Sequence, residues 1–347
     1  MLPAKGYAAL TEKAPLTPFA FERRSPGPKD VLVDIKFCGI CHSDIHQARA
    51  EWGPALFPMV PGHELVGTVS QVGAEVTKFK VGDAVGAGCF VDSCRTCPSC
   101  KEGLEQYCDG LVSFTYNGTE QDGKTPTYGG YSNRITVDQN YLVKIPSNLD
   151  LAASAPLLCA GITTYSPLKT WGITKGQRVA ILGLGGLGHM GVKFAAAFGA
   201  EVTVLSSSPA KEKDAKRLGA HHFELFSNEA TRKRLTKNFD FILDTVAAPH
   251  DINAALGMLK RDGTLCLVGV PPEAIPVAAV SLIPGRKRLV GSMIGGIRET
   301  QEMLDYCGKH SIVSDIEIVA MKDVNTAYER TIKSDVRYRF VLDLATL

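Results

Sequence analysis

The sequence predicts an α/β plus β chain, in which a β-rich, barrel-like domain accompanies a doubly wound parallel sheet. Three observations predict it. Residues 1–150 are a series of short β-branched runs punctuated by Gly, Pro and Asp. From about Ala153 apolar strands alternate with helical stretches, which is the rhythm of βαβ units. The length of 347 residues corresponds to about two domains.

In the first part, Val31–Phe37, Leu65–Val72, Ala84–Val91 and Arg134–Ile145 read as strands. Gly62, Gly67, Gly73, Gly82, Gly86 and Gly88 fall at turn or bulge spacing among them. In the second part the strands are Arg178–Gly183, Glu201–Ser206, Phe239–Val246 and Gly263–Val270, with Leu289–Ile294 able to add a last one. Helical spacing covers Leu187–Phe198, Ala210–Leu218 and Asn253–Lys260. Thr300–Lys309, Ile316–Ala320, Val324–Lys333 and Arg339–Leu344 then return to mixed structure. A hydropathy scan would flag Arg178–Leu205 as membrane-spanning, but the glycines from Gly183 onward, His189, Lys193 and Glu201 make it a strand, turn and helix.

Charge and cysteine usage narrow the function classes. Lys and Arg (38) nearly balance Asp and Glu (36), so the net charge of +2 gives neither a nucleic-acid footprint nor a polybasic membrane patch. The N-terminal residues hold no apolar run long enough for a signal peptide, so a cytoplasmic chain is expected. Most of the ten cysteines lie from Cys38 to Cys108, and in a reducing compartment such a cluster reads as metal-binding before disulfide-forming.

Cys94, Cys97, Cys100 and Cys108 have the spacing C-x2-C-x2-C-x7-C. Closely spaced thiolates in a loop can wrap one tetrahedral zinc ion, and four of them leave no open coordination position. This metal would be structural. A second constellation is GICHSDIHQ, with Cys41, His42, Ser43, Asp44 and His46, followed by PGHELVG, with His63 and Glu64. A catalytic zinc needs three ligands of mixed N and S type and an open fourth position. Cys41 and His63 supply two; Cys159, in APLLCAGITTY, is the best third, with His42 and His46 as competitors. Asp44 could orient a ligand, Glu64 could lie near the metal, and Ser43 with His46 suits a hydroxyl–imidazole proton path.

Gly183-Leu184-Gly185-Gly186-Leu187-Gly188 fits G-x-G-x-x-G directly after an apolar strand and before a helix, the context a dinucleotide pyrophosphate requires. A NAD site would place a carboxylate near the end of the next strand. Here Ser206, Ser207, Ser208 and Lys211 stand there, and no Asp or Glu occurs from Val202 to Ala210. Three hydroxyls and a cation favour the 2′-phosphate of NADP; a serine-rich helix cap with a solvated lysine is the competing reading.

Together GICHSDIH, PGHE, the four-cysteine segment, CAGITTY and GLGGLGH resemble the zinc-containing medium-chain dehydrogenase/reductase family over essentially the whole chain. The triple serine with its lysine, SMIGG and YRFVLDL resemble the cinnamyl-alcohol-dehydrogenase branch. The resemblance implies a GroES-like catalytic domain, 1–153 and 296–347, interrupted by a Rossmann domain, 154–295. It implies two zinc ions per chain: a catalytic one on Cys41, His63 and Cys159, with Glu64 as nearby or alternative ligand, and a structural one on Cys94, Cys97, Cys100 and Cys108. NADP contacts would fall on Ser43, Gly183–Gly188, Ser206–Lys211, Thr245, Gly269 and Ser292, Met293 and Ile294, with Thr163 near the nicotinamide. Ser43 would hand the alkoxide proton through the cofactor ribose to His46. A homodimer is implied.

The implied reaction interconverts a primary alcohol and NADP⁺ with an aldehyde and NADPH. Trp52, Leu56, Phe57, Met59, Phe90 and Tyr116 lie in loops near the motifs and could line an apolar pocket, which favours aromatic or medium-chain substrates. A polyol dehydrogenase is the enzymatic alternative; a zinc-containing structural or nucleic-acid-binding protein with a vestigial Rossmann domain is the alternative from another class.

Overall fold

The structure, a computed structural model, describes residues 1–347. Its contacts divide the chain into two compact units, 1–162 with 295–347, and 163–294. No helix is long and apolar enough to cross a membrane.

The first unit opens with an antiparallel pair that the strand patterns do not announce, β1 (Leu2–Ala8) and β2 (Thr17–Arg23). β3 (Asp30–Gly39), helix α1 (His42–Ala48), β4 (Leu65–Val72), β5 (Ala84–Ala87), β6 (Phe90–Asp92) and helix α2 (Pro98–Glu102) follow. β7 (Ser113–Phe114), β8 (Arg134–Asp138), β9 (Val143–Lys144) and helix α3 (Leu151–Ser154) come next, and α4 (Ala160–Thr170) leads into the second unit. In β3, Val31, Val33, Ile35 and Cys38 are buried, and β4 buries Leu65 and Val66, so this pair carries the core of the unit.

Two expected strands are broken. Ala84–Val91 splits into β5 and β6 because the backbone between them runs past Leu158, where a Cβ on Gly88 would lie 2.9 Å from the Leu158 carbonyl oxygen. Arg134–Ile145 splits because the Asp138 carboxylate accepts the Asn140 N–H at 2.8 Å and winds Gln139–Tyr141 into a 3-10 turn. The first change of unit also comes later than 153/154, since α3 and the turn after it pack on β3 and β4.

In the second unit β10 (Arg178–Leu182), α5 (Gly188–Ala197), β11 (Glu201–Ser206), α6 (Glu212–Leu218), β12 (His222–Leu225), α7 (Glu229–Arg234), β13 (Phe239–Asp244), α8 (Ile252–Met258), β14 (Leu259–Leu267) and β15 (Arg288–Gly291) alternate. The six strands form one parallel sheet in the order β12-β11-β10-β13-β14-β15. Val179–Leu182 are all buried, the continuous apolar run expected of a strand covered on both faces. The order reverses between β10 and β13, and such a switch point opens a crevice beyond the carboxyl ends of the strands. Helix α6 starts at Glu212, not Ala210, because Pro209–Lys211 form a 3-10 turn. β12 and α7 are short and amphipathic only weakly, so periodicity does not reveal them.

The tail returns to the first unit: after α9 (Ile297–His310), β16 (Ile316–Ala320) and α10 (Val324–Ile332), β17 (Arg339–Asp343) pairs antiparallel with β3. Val341 and Leu342 are fully buried there.

Candidate active site

Cys41 is the N-cap of α1, and the Asp44 carboxylate accepts its backbone N–H at 2.9 Å. Asp44 is fully buried, yet its oxygens are satisfied: Gly62 N–H donates at 3.1 Å, the Tyr131 hydroxyl at 3.2 Å, and His63 Nδ1 stands 2.9 Å away. The bond to Asp44 fixes His63's ring and turns its other nitrogen toward the thiols. Burial opposes protonation of His63, but the Asp44 charge holds its pKa well above the ordinary value.

The ligand atoms of Cys41, His63, Glu64 and Cys159 all lie within 4.8 Å of one another. They come from the start of α1, the turn before β4 and the turn before α4. A hydrogen bond from the Cys159 thiol holds Cys41 well below the ordinary thiol range, and Cys159 itself is correspondingly high. The Cys41 sulfur is 3.6 Å from Ser43 Oγ. Burial pushes the Glu64 carboxyl up to about 7, against the pull of the Arg339 guanidinium. Arg339, from β17, pairs with Glu64 Oε1 and also donates to the Ile40 carbonyl at 2.8 Å. Glu64 Oε2 is buried with no hydrogen-bond partner. A buried carboxylate oxygen left unpaired is costly, and a metal ion at the mixed S, N and O donor set would satisfy it.

Neither His42 nor His46 joins this set. The His46 ring stacks on Trp52 with centroids 4.8 Å apart, and its Nδ1 is 2.5 Å from Glu51 Oε2. Glu51, Tyr131 and Arg339 were not among the expected site residues. Tyr131 and Arg339 are remote in sequence from what they touch, so spacing gives no signal for them, whereas Glu51, five residues after His46, lies close in sequence but outside any motif. Of the apolar loop residues, Tyr116 stacks on His63 at 5.7 Å, and Trp52 and Leu56 are exposed. Met59 and Phe90 are core residues: Met59 exchanges backbone hydrogen bonds with Ala9, and the Phe90 ring packs edge-on against Tyr141.

Cys94, Cys97, Cys100 and Cys108 gather into a second set within 4.8 Å. The Cys94 and Cys100 sulfurs are 3.9 Å apart, close to the edge of about 3.8 Å that a tetrahedron with 2.3 Å zinc–sulfur bonds requires. Cys97 caps α2, whose first residue is Pro98 and whose end is Gly103 in the left-handed region. Backbone N–H groups of Thr96 and Cys97 lower the Cys94 thiol to about 6, and burial raises Cys100 to about 12. Ser93 Oγ, 2.7 Å from the Tyr141 hydroxyl, lies 3.1 Å from the Cys100 sulfur.

In the second unit, Gly183 follows β10 with φ +91°, and a Cβ on Gly188 would collide with its carbonyl. A Cβ on Gly185 would meet nothing, so its backbone is open to close approach. That is the cradle a pyrophosphate needs at the start of α5. Thr245 Oγ1 donates to the Leu182 carbonyl at 2.9 Å, beside the turn. Lys211 Nζ donates to the Leu184 carbonyl of the same turn at 2.8 Å, so the cation is held there and is not a purely solvated charge. Ser206 Oγ accepts the Ser208 N–H at 3.2 Å, whereas Ser208 makes no side-chain cap. Ser207 is exposed. Gly269 packs against the Val246 backbone, Ser292 N–H donates to Leu267 at 3.1 Å, Met293 is partly exposed, Ile294 has φ +41°, and Thr163 is buried in α4.

Comparison with known proteins places the chain in a family. Residues 27–147 match the alcohol dehydrogenase GroES-like domain, and residues 186–309 match the zinc-binding dehydrogenase family. The chain is 55% identical to NADP-dependent alcohol dehydrogenase C 1 of Mycolicibacterium smegmatis, over 100% of this chain and 99% of that one. It is 51% identical to probable cinnamyl alcohol dehydrogenase 6 of Arabidopsis thaliana, over 99% and 94%. Among solved structures, a cinnamyl alcohol dehydrogenase of Sorghum bicolor superposes with a TM-score of 0.96 at 47% identity, covering 99% of this chain and 98% of that one. CAD from Helicobacter pylori, complexed with NADP(H), superposes at 0.93 with 44% identity, covering 99% of each. The chain therefore belongs to the zinc-containing medium-chain dehydrogenase/reductase family, in its cinnamyl-alcohol-dehydrogenase-like branch, and is an oxidoreductase acting on CH–OH groups.

Proposed function

We propose that the protein is a zinc-dependent, NADP(H)-linked alcohol dehydrogenase and aldehyde reductase for primary alcohols and aldehydes, aromatic of the cinnamyl type or medium-chain. The observation that carries this is the set of partly exposed Cys41 with buried His63, Glu64 and Cys159, and its unpaired Glu64 oxygen. When bound, zinc at this set supplies Lewis acidity toward the substrate oxygen, and the nicotinamide supplies or takes the hydride. The chain's own residues do the rest. Asp44 holds His63 in the ligating orientation, and Arg339 holds Glu64 close to the site without neutralising its free oxygen. In this reading Ser43, 3.6 Å from the sulfur of Cys41, takes the alcohol proton and hands it through the cofactor ribose to His46, whose Nδ1 lies 2.5 Å from Glu51 Oε2 and which passes it to solvent. Tyr116 over His63 and Trp52 over His46 offer aromatic walls.

The NADP preference rests on Lys211 and the three serines beside the glycine turn, together with the NADP-linked relatives. Cys94, Cys97, Cys100 and Cys108 hold the structural zinc in this reading. Cysteine thiolates used as metal ligands suit a cytoplasmic setting, where thiols stay reduced. Val270, Val280 and Ile283, exposed between β14 and β15, are the apolar surface that a homodimer would cover. The test is oxidation of NADPH and NADH with a panel of cinnamyl, benzyl and medium-chain aldehydes against sugars. Turnover confined to sugars would select the polyol enzyme, and no turnover with any of them would sink the catalytic reading.

A further inference from the structure

β13 ends at Asp244, which pairs in register with Leu182, the residue before Gly183. Its carboxylate is buried. Oδ1 accepts the Val246 N–H at 3.0 Å, and Oδ2 lies 2.7 Å from His250 Nε2. The other ring nitrogen, Nδ1, is 2.9 Å from the Ala248 carbonyl oxygen. Both nitrogens therefore face acceptors, and only the imidazolium can donate to both at once. The Asp244 hydrogen bond accordingly raises the pKa of His250 above its ordinary value. Asp251, the other carboxylate near His250, caps α8 by accepting the Ala254 N–H at 3.0 Å.

The ion pair closes a loop over residues 245–249, and the first two residues of that loop, Thr245 and Val246, lie against the glycine turn and Gly269. Thr245 donates to the Leu182 carbonyl through its N–H at 3.0 Å and its hydroxyl at 2.9 Å. A Cβ on Gly183 would lie 2.8 Å from that hydroxyl. On the other side, Val268 and Gly269 donate their N–H groups to the Asp244 carbonyl at 3.0 and 3.2 Å, and Gly269 packs on Val246. The ends of β10, β13 and β14 thus meet at this loop: Thr245 bonds Leu182, the Asp244 backbone carbonyl takes the N–H groups of Val268 and Gly269, and the Asp244 carboxylate holds Val246 and His250.

We propose that His250 is a positioning residue for the dinucleotide: its ion pair with Asp244 locks the 245–249 loop and so sets the spacing of Thr245, the glycine turn and Gly269. This rests on reading that turn as a dinucleotide site. The elements so spaced serve the part of the cofactor common to NADPH and NADH, whereas Lys211 distinguishes the two.

Direct titration of the full-length zinc-loaded protein with NADPH and with NADH, followed by reduced-nicotinamide fluorescence, tests the assignment. His250→Leu is expected to weaken both cofactors by the same factor, about tenfold. His250→Asn keeps a donor toward Ala248 but falls short of Asp244, so it covers the case in which the leucine variant does not fold, and the same loss is expected. His250→Gln, whose amide reaches Asp244, should recover most of the affinity. Lys211→Ala is the contrast, weakening NADPH alone. Wild-type affinity for both cofactors in the asparagine variant, a loss confined to NADPH, or equal losses in the asparagine and glutamine variants would each overturn the proposal. Failure of the wild type to bind either cofactor would instead overturn the dinucleotide reading beneath it.

Discussion

The four-cysteine lobe and the Cys41 cluster each gather their ligand atoms within 4.8 Å of one another, but by opposite routes. The lobe takes its sulfurs from one short segment, Cys94 to Cys108, with only a small helix and a few turns between them. Little of that backbone is buried, so an ion bound there would do much of the work of folding it. The Cys41 cluster takes its atoms from segments separated by β4 to β9 and α3. There the core brings the ligands together, and Asp44 and Arg339 hold two of them before any metal arrives. On the proposed assignment, metal organises the protein in the lobe, whereas in the cluster the protein organises the metal.

That contrast is open to attack at several points. The largest effect on turnover is expected from Cys159→Ala, which removes a ligand from a site that folding has already built. Activity should fall by about 10³-fold or more, while the melting temperature stays close to wild type. An unfolded Cys159→Ala chain would show that the cluster, too, depends on its ion for folding. Next comes the proton path. Ser43→Ala should lower kcat by roughly 10²–10⁴-fold, and His46→Gln by clearly less, because water or buffer can replace a residue that relays to solvent. Concentrated buffer should partly rescue the His46 variant; equal losses with an unchanged pH profile would remove His46 from the relay.

Asp44→Asn sharpens the comparison from within the cluster. It leaves all four ligands in place but loses the charge that orients His63, and it should cost about 10–100-fold in metal affinity or activity. Metal content after dialysis against a chelator gives the answer. Lys211→Ala should lower kcat/KM for NADPH by roughly ten- to a hundredfold with little change for NADH, and Ser206→Asp should reverse the preference. Similar values for the two cofactors in the wild type would leave Lys211 as a clasp on Leu184 only. The smallest change in turnover is expected from Cys97→Ser. It should release one metal per chain and lower the melting temperature by roughly 5 °C or more, yet leave kcat of the folded fraction near wild type. Finding only one zinc per wild-type chain after gentle purification would count against the pairing of the two sites.

How much of this was legible beforehand follows the same division. The lobe could be read from spacing alone, since C-x2-C-x2-C-x7-C names its ligands without any fold. The glycine turn could be read because strand, turn and helix are contiguous, and β10, β11 and α5 lie within a residue or so of the expected ranges. Cys41 and His63 could be suspected, but their third partner stayed open among Cys159, His42 and His46. Neither His42 nor His46 belongs to the ligand set, and for His46 the reason is geometric: one turn of α1 carries it to Trp52 and Glu51, away from the thiols.

Composition, local spacing and hydrophobic period by themselves determined the two-part α/β plus β architecture, the four-cysteine lobe, the glycine turn and the serine–lysine segment beside it. These are local properties, written in residues that are near neighbours in the chain. Only the tertiary structure decided that β17 returns to pair with β3 and so brings Arg339 to Glu64, and that Tyr131 reaches Asp44. It alone brought Cys159 beside Cys41 and closed the loop of Asp244 with His250. The physical reason is that a buried charge must find its partner wherever the packed core places one, and that requirement leaves no periodicity in the sequence.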